Sequence, residues 1–254
     1  MTWQVPTATL VTLLLATLRA SAWLVVCPPF QGRMIPAAVK PLLAVALALP
    51  VTPDLVDRAP EPTVPVLMAS AAEQVVIGVA LGFLTALFFA AIQVAGDLID
   101  LFGGFSLAYA FDPLSATQSS VFGRFYNLIA VTLLFASDGH QMVLHGFLQS
   151  YRTLPLDGAL SLANLSRLLT DGLGEMFLAG LQIAGPLIAV LFLTDVAFGL
   201  LNRVAPSLNA FALGFPAKIF LTVALAGTAI AVLPNALDNL LRKAVSAVLT
   251  VAGG

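Results

Sequence analysis

Five ionisable side chains lie inside or at the edge of long apolar runs: Arg19, Lys40, Glu73, Asp195 and Lys218. A charge at membrane depth costs about 2.5–3.5 kcal/mol on insertion scales, so each group needs a partner or water. Two chemistries meet that need. A connected chain of such groups carries protons or ions, whereas separate opposite charges form salt bridges that fix how helices pack. No acidic motif repeats along the sequence, which favours the salt bridges. Asp195 and Arg203 are eight residues apart, roughly two helical turns, and share one side of a helix as a candidate polar seam.

Other constellations carry less. His140 and His145 are five residues apart and fall on different helix faces, whereas a metal pair on one helix needs a spacing of three or four. Ser137, Asp138 and His140 are close in sequence, but no nucleophile elbow accompanies them. There is no phosphate-binding loop and no dinucleotide fingerprint. The residues therefore point to no enzyme, no metal and no cofactor.

A third feature is conformational. From Phe102 to Pro113 the sequence reads Phe-Gly-Gly-Phe-Ser-Leu-Ala-Tyr-Ala-Phe-Asp-Pro. Gly103 and Gly104 supply backbone freedom as hinges. Phe105, Leu107, Tyr109 and Phe111 then alternate, as in an extended strand. An extended apolar segment cannot face lipid, because its backbone polar groups would be unsatisfied; it can line or block a pore within protein. Hydrophobic constrictions gate by excluding water, which makes these four side chains a candidate gate. The competing reading is a loop packed into the core.

The elements that position these residues follow from composition. Of 254 residues, 59% are hydrophobic and only 9% charged, with mean hydropathy +1.00. A soluble domain carries about 25% charged residues, so this chain belongs in a membrane or an apolar assembly. A net charge of −2 offers no basic face for nucleic acid. Cys27 is the single cysteine, so no intrachain disulfide is possible. No Lys or Arg precedes the first apolar run and Arg19 lies within it, so the first segment is expected to stay attached.

Apolar runs cover about residues 7–26, 37–49, 68–94, 125–136, 177–201 and 209–233. Pro50 to Pro65 contains five prolines and reads as an extended, wet linker. Residues 138–150 and 160–175 read as amphipathic pieces, and the tail from Asn235 to Val251 as an amphipathic helix. Gly78 and Gly82 have the spacing that lets helix backbones approach. The expected fold is all-α, a polytopic membrane protein of about six tilted, kinked helices. If six helices alternate, Arg58, Arg152, Arg167, Arg242 and Lys243 face Arg33, Lys40, Arg124 and Arg203; that balance gives no orientation.

The polar break from Leu200 to Lys218 is the most specific stretch. Pro206 ends one helix near Ala205, and Asn209 is placed to cap the next. This stretch resembles the FliR family, the export-gate membrane proteins of flagellar type III secretion, related to the SctT family of injectisomes. The same family is matched by Arg19 with Pro28-Pro29-Phe30 and Ile35-Pro36-Ala37-Ala38-Val39-Lys40, by Glu73 with Gly78 and Gly82, and by Ala95-Gly96-Asp97-Leu98-Ile99-Asp100. Gly103-Gly104, Asp112-Pro113, Asp138-Gly139-His140 and Thr194-Asp195-Val196-Ala197-Phe198-Gly199-Leu200 continue it, so the resemblance covers about Arg19 to Pro234. Ser207 replaces the family's usual glutamine and Gln141 its frequent second histidine, while Gly214-Phe215-Pro216 looks like the flagellar branch.

The resemblance implies a single-copy subunit without catalytic activity. Such a subunit joins several copies of FliP-like and FliQ-like partners in a pore through which unfolded substrates cross the inner membrane at the flagellar basal body, with an FlhB-like subunit wrapped around it. It implies a FliP-like part over about 1–175 and a FliQ-like part over about 176–254, within one export-gate domain. The segment from Phe102 to Pro113 would be the plug. Arg19, Glu73, Asp195, Arg203, Pro206, Asn209 and Lys218 would serve structural or inter-subunit polar contacts. An injectisome subunit and a proton-coupled small-solute transporter are the alternative readings.

Overall fold

The computed structural model describes residues 6–31, 35–105, 120–157, 162–207 and 210–252. Every regular element among them is helical. In chain order they are α1 (Thr7–Val26), α2 (Pro28–Gln31), α3 (Val39–Ala48), α4 (Thr52–Leu55), a 3₁₀ turn (Val56–Arg58), α5 (Val64–Gly103), α6 (Val121–Ala136), α7 (Gly139–Thr153), α8 (Leu162–Val204) and α9 (Ala210–Ala252). Helices α1, α5 and residues 163–204 of α8 are each long and apolar enough to cross a membrane. Counting each bent pair as one span raises the number to six. The all-α polytopic class is therefore observed.

Prolines set several of the ends. Cys27 precedes Pro28 and takes an extended conformation, φ −68° and ψ 117°, which stops α1. Val204 closes α8 two residues before Pro206, where the sequence places the end. Pro234 lies inside α9, which bends by 62° between residues 212–228 and 233–240. A proline there removes one backbone donor and crowds the preceding turn, a sufficient cause for the bend.

Three local expectations change. The Pro50–Pro65 stretch is not all extended: α4 and the 3₁₀ turn occupy Thr52–Arg58, and α3 and this piece meet at 60°. Pro53 stands at the start of α4, where its missing N–H costs nothing, and the Thr52 hydroxyl donates to the Ala48 carbonyl at 2.8 Å. The amphipathic piece and the apolar run after it fuse into the 43-residue α8, and the tail fuses likewise into α9. Finally, the segment read as non-helical begins at Phe102, but α5 carries helix through Phe102 and Gly103. At 1.5 Å per residue, the 40 residues of α5 reach roughly 60 Å, about twice a hydrocarbon core of ~30 Å.

Two compact units are interleaved along the chain. The first contains residues 1–88, 138–173 and 241–254; the second contains 89–137 and 174–240. The first is built around α1, whose Leu15, Ala16, Ala20, Trp23 and Leu24 are buried. Trp23 stacks on Phe147 of α7, with ring centroids 4.4 Å apart. Gly78 and Gly82 of α5 bring the α1 backbone close, as a small-residue pair should. In the second unit the fully buried Ile92, Ala95 and Ile99 of α5 and Tyr126, Ala130 and Leu134 of α6 form the core.

A Cβ at Gly78 would meet the Arg19 carbonyl oxygen and lie 2.8 Å from the Ala22 Cβ. Helix propensity alone would make Gly78→Ala favourable by about 1 kcal/mol. Overpacking against backbone costs about 1–3 kcal/mol, and dominates. Gly78→Ala is therefore expected to lower the thermal unfolding temperature of the full chain in detergent; an unchanged or raised temperature contradicts this packing.

Candidate functional site

Three polar constructions stand out in this apolar chain. The first is the root of the segment between α5 and α6, in the second unit. Gly104 has φ +85°, a left-handed conformation that a side chain rarely adopts, and it turns the chain out of α5. Phe105 follows and meets Phe122 edge to face at 5.3 Å between centroids. On the far side of the segment, Ser120 caps α6 by accepting from the Gly123 amide at 2.7 Å. The Asp100 carboxylate, only 3% exposed, accepts from the Phe122 amide at 3.3 and 3.2 Å. Negative charge at a helix N-terminus is favoured by both the free amides and the macrodipole. Gly96 and Gly123 let the helices touch: a Cβ at Gly96 would be 2.5 Å from the backbone of Phe122 and Gly123. Gly103 packs on Thr222 and Gly104 on Phe215 of α9.

The second construction is an ion pair in the same unit. Lys218 Nζ reaches both oxygens of Asp195, at 2.8 and 2.9 Å, and so ties α9 to α8. The lysine side chain is 18% exposed and the aspartate 50%. Arg203 is exposed in the last turn of α8, and Pro206 is exposed in the turn after it. The polar seam therefore runs from α8 to α9 at Asp195.

The third lies in the first unit. Arg19 is completely buried within α1. Its Nε donates to Gln74 Oε1 of α5 at 2.7 Å, and Nη1 donates to the Ser150 carbonyl of α7 at 3.2 Å. The guanidinium lies 4.5 Å from the centroid of the Tyr151 ring, a cation–π distance. Tyr151 returns its hydroxyl proton to the Ala16 carbonyl at 2.7 Å. Glu73 is half-buried and precedes Gln74 on α5. Arg19 thus links three helices.

Of the residues singled out from sequence, Lys40 sits on α3 and donates to the Gln31 carbonyl at 3.3 Å. Leu107, Tyr109, Phe111 and Asn209 lie outside the described residues. Gln74, Tyr151, Asp97 and Asp100 escaped a search for charges in apolar runs. Gln74 and Tyr151 carry no charge, and the two aspartates sit where the apolar pattern ends, so they read as surface. Near α4 and α7, Arg58, His145, Gln149 and Arg152 open onto a cavity of about 700 Å³, with Arg152 3.5 Å from Asp54. Among the described residues no group of three or more His, Cys, Asp or Glu side chains is placed to hold a metal ion.

Long apolar helices joined by polar links at Arg19 and at Lys218–Asp195 define the class: a polytopic membrane protein. Comparison with known proteins narrows it. The family model of bacterial export proteins, family 1, matches residues 10–244. The flagellar biosynthetic protein FliR of Escherichia coli is 34% identical over 212 residues, 82% of this chain and 80% of the relative. FliR of Pectobacterium carotovorum is 34% identical over 226 residues, 87% and 85% of the two chains, and FliR of Bacillus subtilis 31% over 210 residues, 81% of each. The chain belongs to this FliR family of bacterial export proteins.

Removing one partner of a buried charge network typically costs about 3–5 kcal/mol. Arg19→Leu strands Gln74 and the Ser150 carbonyl and is expected to lower the membrane level of the chain severely. Arg19→Lys should recover only part, because a single ammonium lacks the planar fork that meets both acceptors. Equal levels for wild type and Arg19→Leu in membrane fractions would contradict this role. For the second construction, Asp195→Lys should reduce the level and the exchanged pair, Asp195→Lys with Lys218→Asp, restore it; failure of the exchange to improve on the single variant would remove the ion pair as the cause.

Proposed function

We propose that this chain is the single-copy core subunit of the flagellar type III export gate in the bacterial inner membrane. The observation that carries the reading is the family match over residues 10–244 together with FliR relatives aligned over four-fifths of their own length. In it, the chain joins FliP-like and FliQ-like subunits in a pore for unfolded substrates, with an FlhB-like subunit alongside, at the flagellar basal body. The part to about residue 175 plays the FliP-like role and the part from about 176 the FliQ-like role. The subunit catalyses no reaction and uses no cofactor; it shapes and closes a passage.

The plug is assigned to Phe105, Leu107, Tyr109 and Phe111, with Gly103 and Gly104 as hinges. The left-handed Gly104 and the contact of Phe105 with Phe122 support this assignment at its described end. A narrow ring of apolar side chains excludes water and with it ions, so a closed gate holds the membrane potential. Glu73, Arg203, Pro206 and Asn209, with Arg19, Asp195 and Lys218, serve contacts that hold the helices of the assembly in register.

Deleting the gene is expected to remove hook and filament proteins from the culture supernatant while general secretion continues, and the intact gene should restore them. Normal filaments in the deletion strain would remove the flagellar reading and leave the injectisome and solute-transport readings. Within the assembled gate, deletion of residues 105–111 should make the membrane leak ions. A sealed membrane with that deletion would end the plug assignment.

A further inference from the structure

We infer that Asp97 and Asp100 of α5 are positioning residues of the gate: they clamp the start of α6 against the end of α5 and thereby hold the two roots of the 106–119 segment at a fixed separation. The inference rests on the plug reading above and names what keeps that plug in register.

The argument begins with a buried carboxylate. Asp100 is 3% exposed, and among the described residues both of its oxygens accept from the Phe122 backbone amide. A charge that deep is stable only where it is met by donors or opposite charge. Here the donor is the second residue of α6, so the positive end of that helix is its counter-charge. The dependence is mutual. The first turn of α6 has amides with no partner inside the helix; Asp100 serves that of Phe122, and the cap Ser120 serves that of Gly123. Sliding α6 along α5 by one turn would strip the buried Asp100 carboxylate of the Phe122 amide and leave that amide unanswered at the same time, whereas the Ser120 cap would travel with α6.

Close packing reinforces the clamp independently of these hydrogen bonds. Asp97 lies one turn before Asp100 on α5, and its Oδ1 sits where a Cβ at Gly123 would go, beside the Ser120 hydroxyl. Gly96 meets the backbone of Phe122 and Gly123 with no room for a methyl group. The chain leaves α5 three to four residues after Asp100, at Gly103 and Gly104, and re-enters helix at Val121. Both roots of the segment are thus fixed within a few residues of one contact. Phe105, beyond the first root, rests on Phe122, the residue whose amide Asp100 holds. A shift of the clamp therefore moves the first plug side chain directly.

The test uses the full chain assembled with its partner subunits in its own membrane, with ion conductance and the yield of assembled complex read side by side. Asp100→Asn keeps an acceptor for the Phe122 amide and is expected to stay sealed. Asp100→Leu removes the acceptor; losing a charge-assisted hydrogen bond shifts the clamp equilibrium roughly tenfold, and conductance should rise by that order with complex yield unchanged. Gly123→Ala reaches the same place without removing any polar group, by driving a methyl against Asp97 and Ser120, and should leak as well. The 105–111 deletion serves as the reference for an open gate. If the deletion leaks while Asp100→Leu and Gly123→Ala both stay sealed, the clamp is refuted and the plug stands. If the deletion itself stays sealed, the plug reading fails first. Loss of the assembled complex in one variant with no leak in the other also overturns the inference, since these residues then hold the fold and not the segment.

Discussion

The polar groups of this protein have almost no water to turn to, and that constraint governs its interior. In a chain with so few charges, a buried donor or acceptor is stabilised when another part of the same framework answers it. Arg19 shows how far this goes: Nε and Nη1 are answered, while Nη2 and the Gln74 amide nitrogen have no hydrogen-bond partner among the described residues. Its guanidinium is wholly enclosed, so its position dictates the neighbours: an amide from α5, a carbonyl from α7 and an aromatic face from Tyr151. Three helices are thereby fixed in rotation about their axes, a degree of freedom that apolar contacts alone leave soft. Leucine packs on leucine at many angles, whereas a guanidinium accepts few.

The same logic explains why glycine appears where it does. Polar contacts between helices require the helices to come within reach of one another. Gly78 and Gly82 allow α5 to approach α1 beside Arg19, and Gly96 and Gly123 allow α5 to approach α6 beside Asp100. In both units a polar contact and a close small-residue contact fall within one or two helical turns. The small residues make the short distance possible, and the polar group gives it a unique register.

Much of this was legible from the residues. Composition points to a membrane or apolar assembly and the long apolar runs to helices, and the prolines at 28 and 206 mark helix ends that the structure places at Val26 and Val204. Arg19, Asp195 and Lys218 stand out because a charge in an apolar run is conspicuous. Which groups answer them was not legible. Gln74 and the Ser150 carbonyl are 55 and 131 residues from Arg19 in sequence, and no local pattern relates them. The non-helical segment read from Phe102 starts too early, because two adjacent glycines are read as a flexible start without regard to the forty-residue helix already running into them. A helix in progress adds a hydrogen bond per residue at little further cost, and it continues until a residue such as Gly104 turns it out.

Pairing charges internally also determines what the remaining surface can do. Lys218 meets both oxygens of Asp195, so the pair is neutral as a unit. Around it α8 is apolar: only 28% of its most apolar stretch is buried, and Phe192, Leu193, Val196 and Leu200 stand exposed. Gly185 and Gly199 have open space where a Cβ would be. Such a face gains from burial in any direction, so apolarity by itself selects no partner. Selection must come from shape, in the notches left by the glycines, and from the fixed angles that the buried polar links impose on the helices behind it. The rigidity bought at Arg19 and Asp195 is in this sense what allows a nearly featureless surface to be specific.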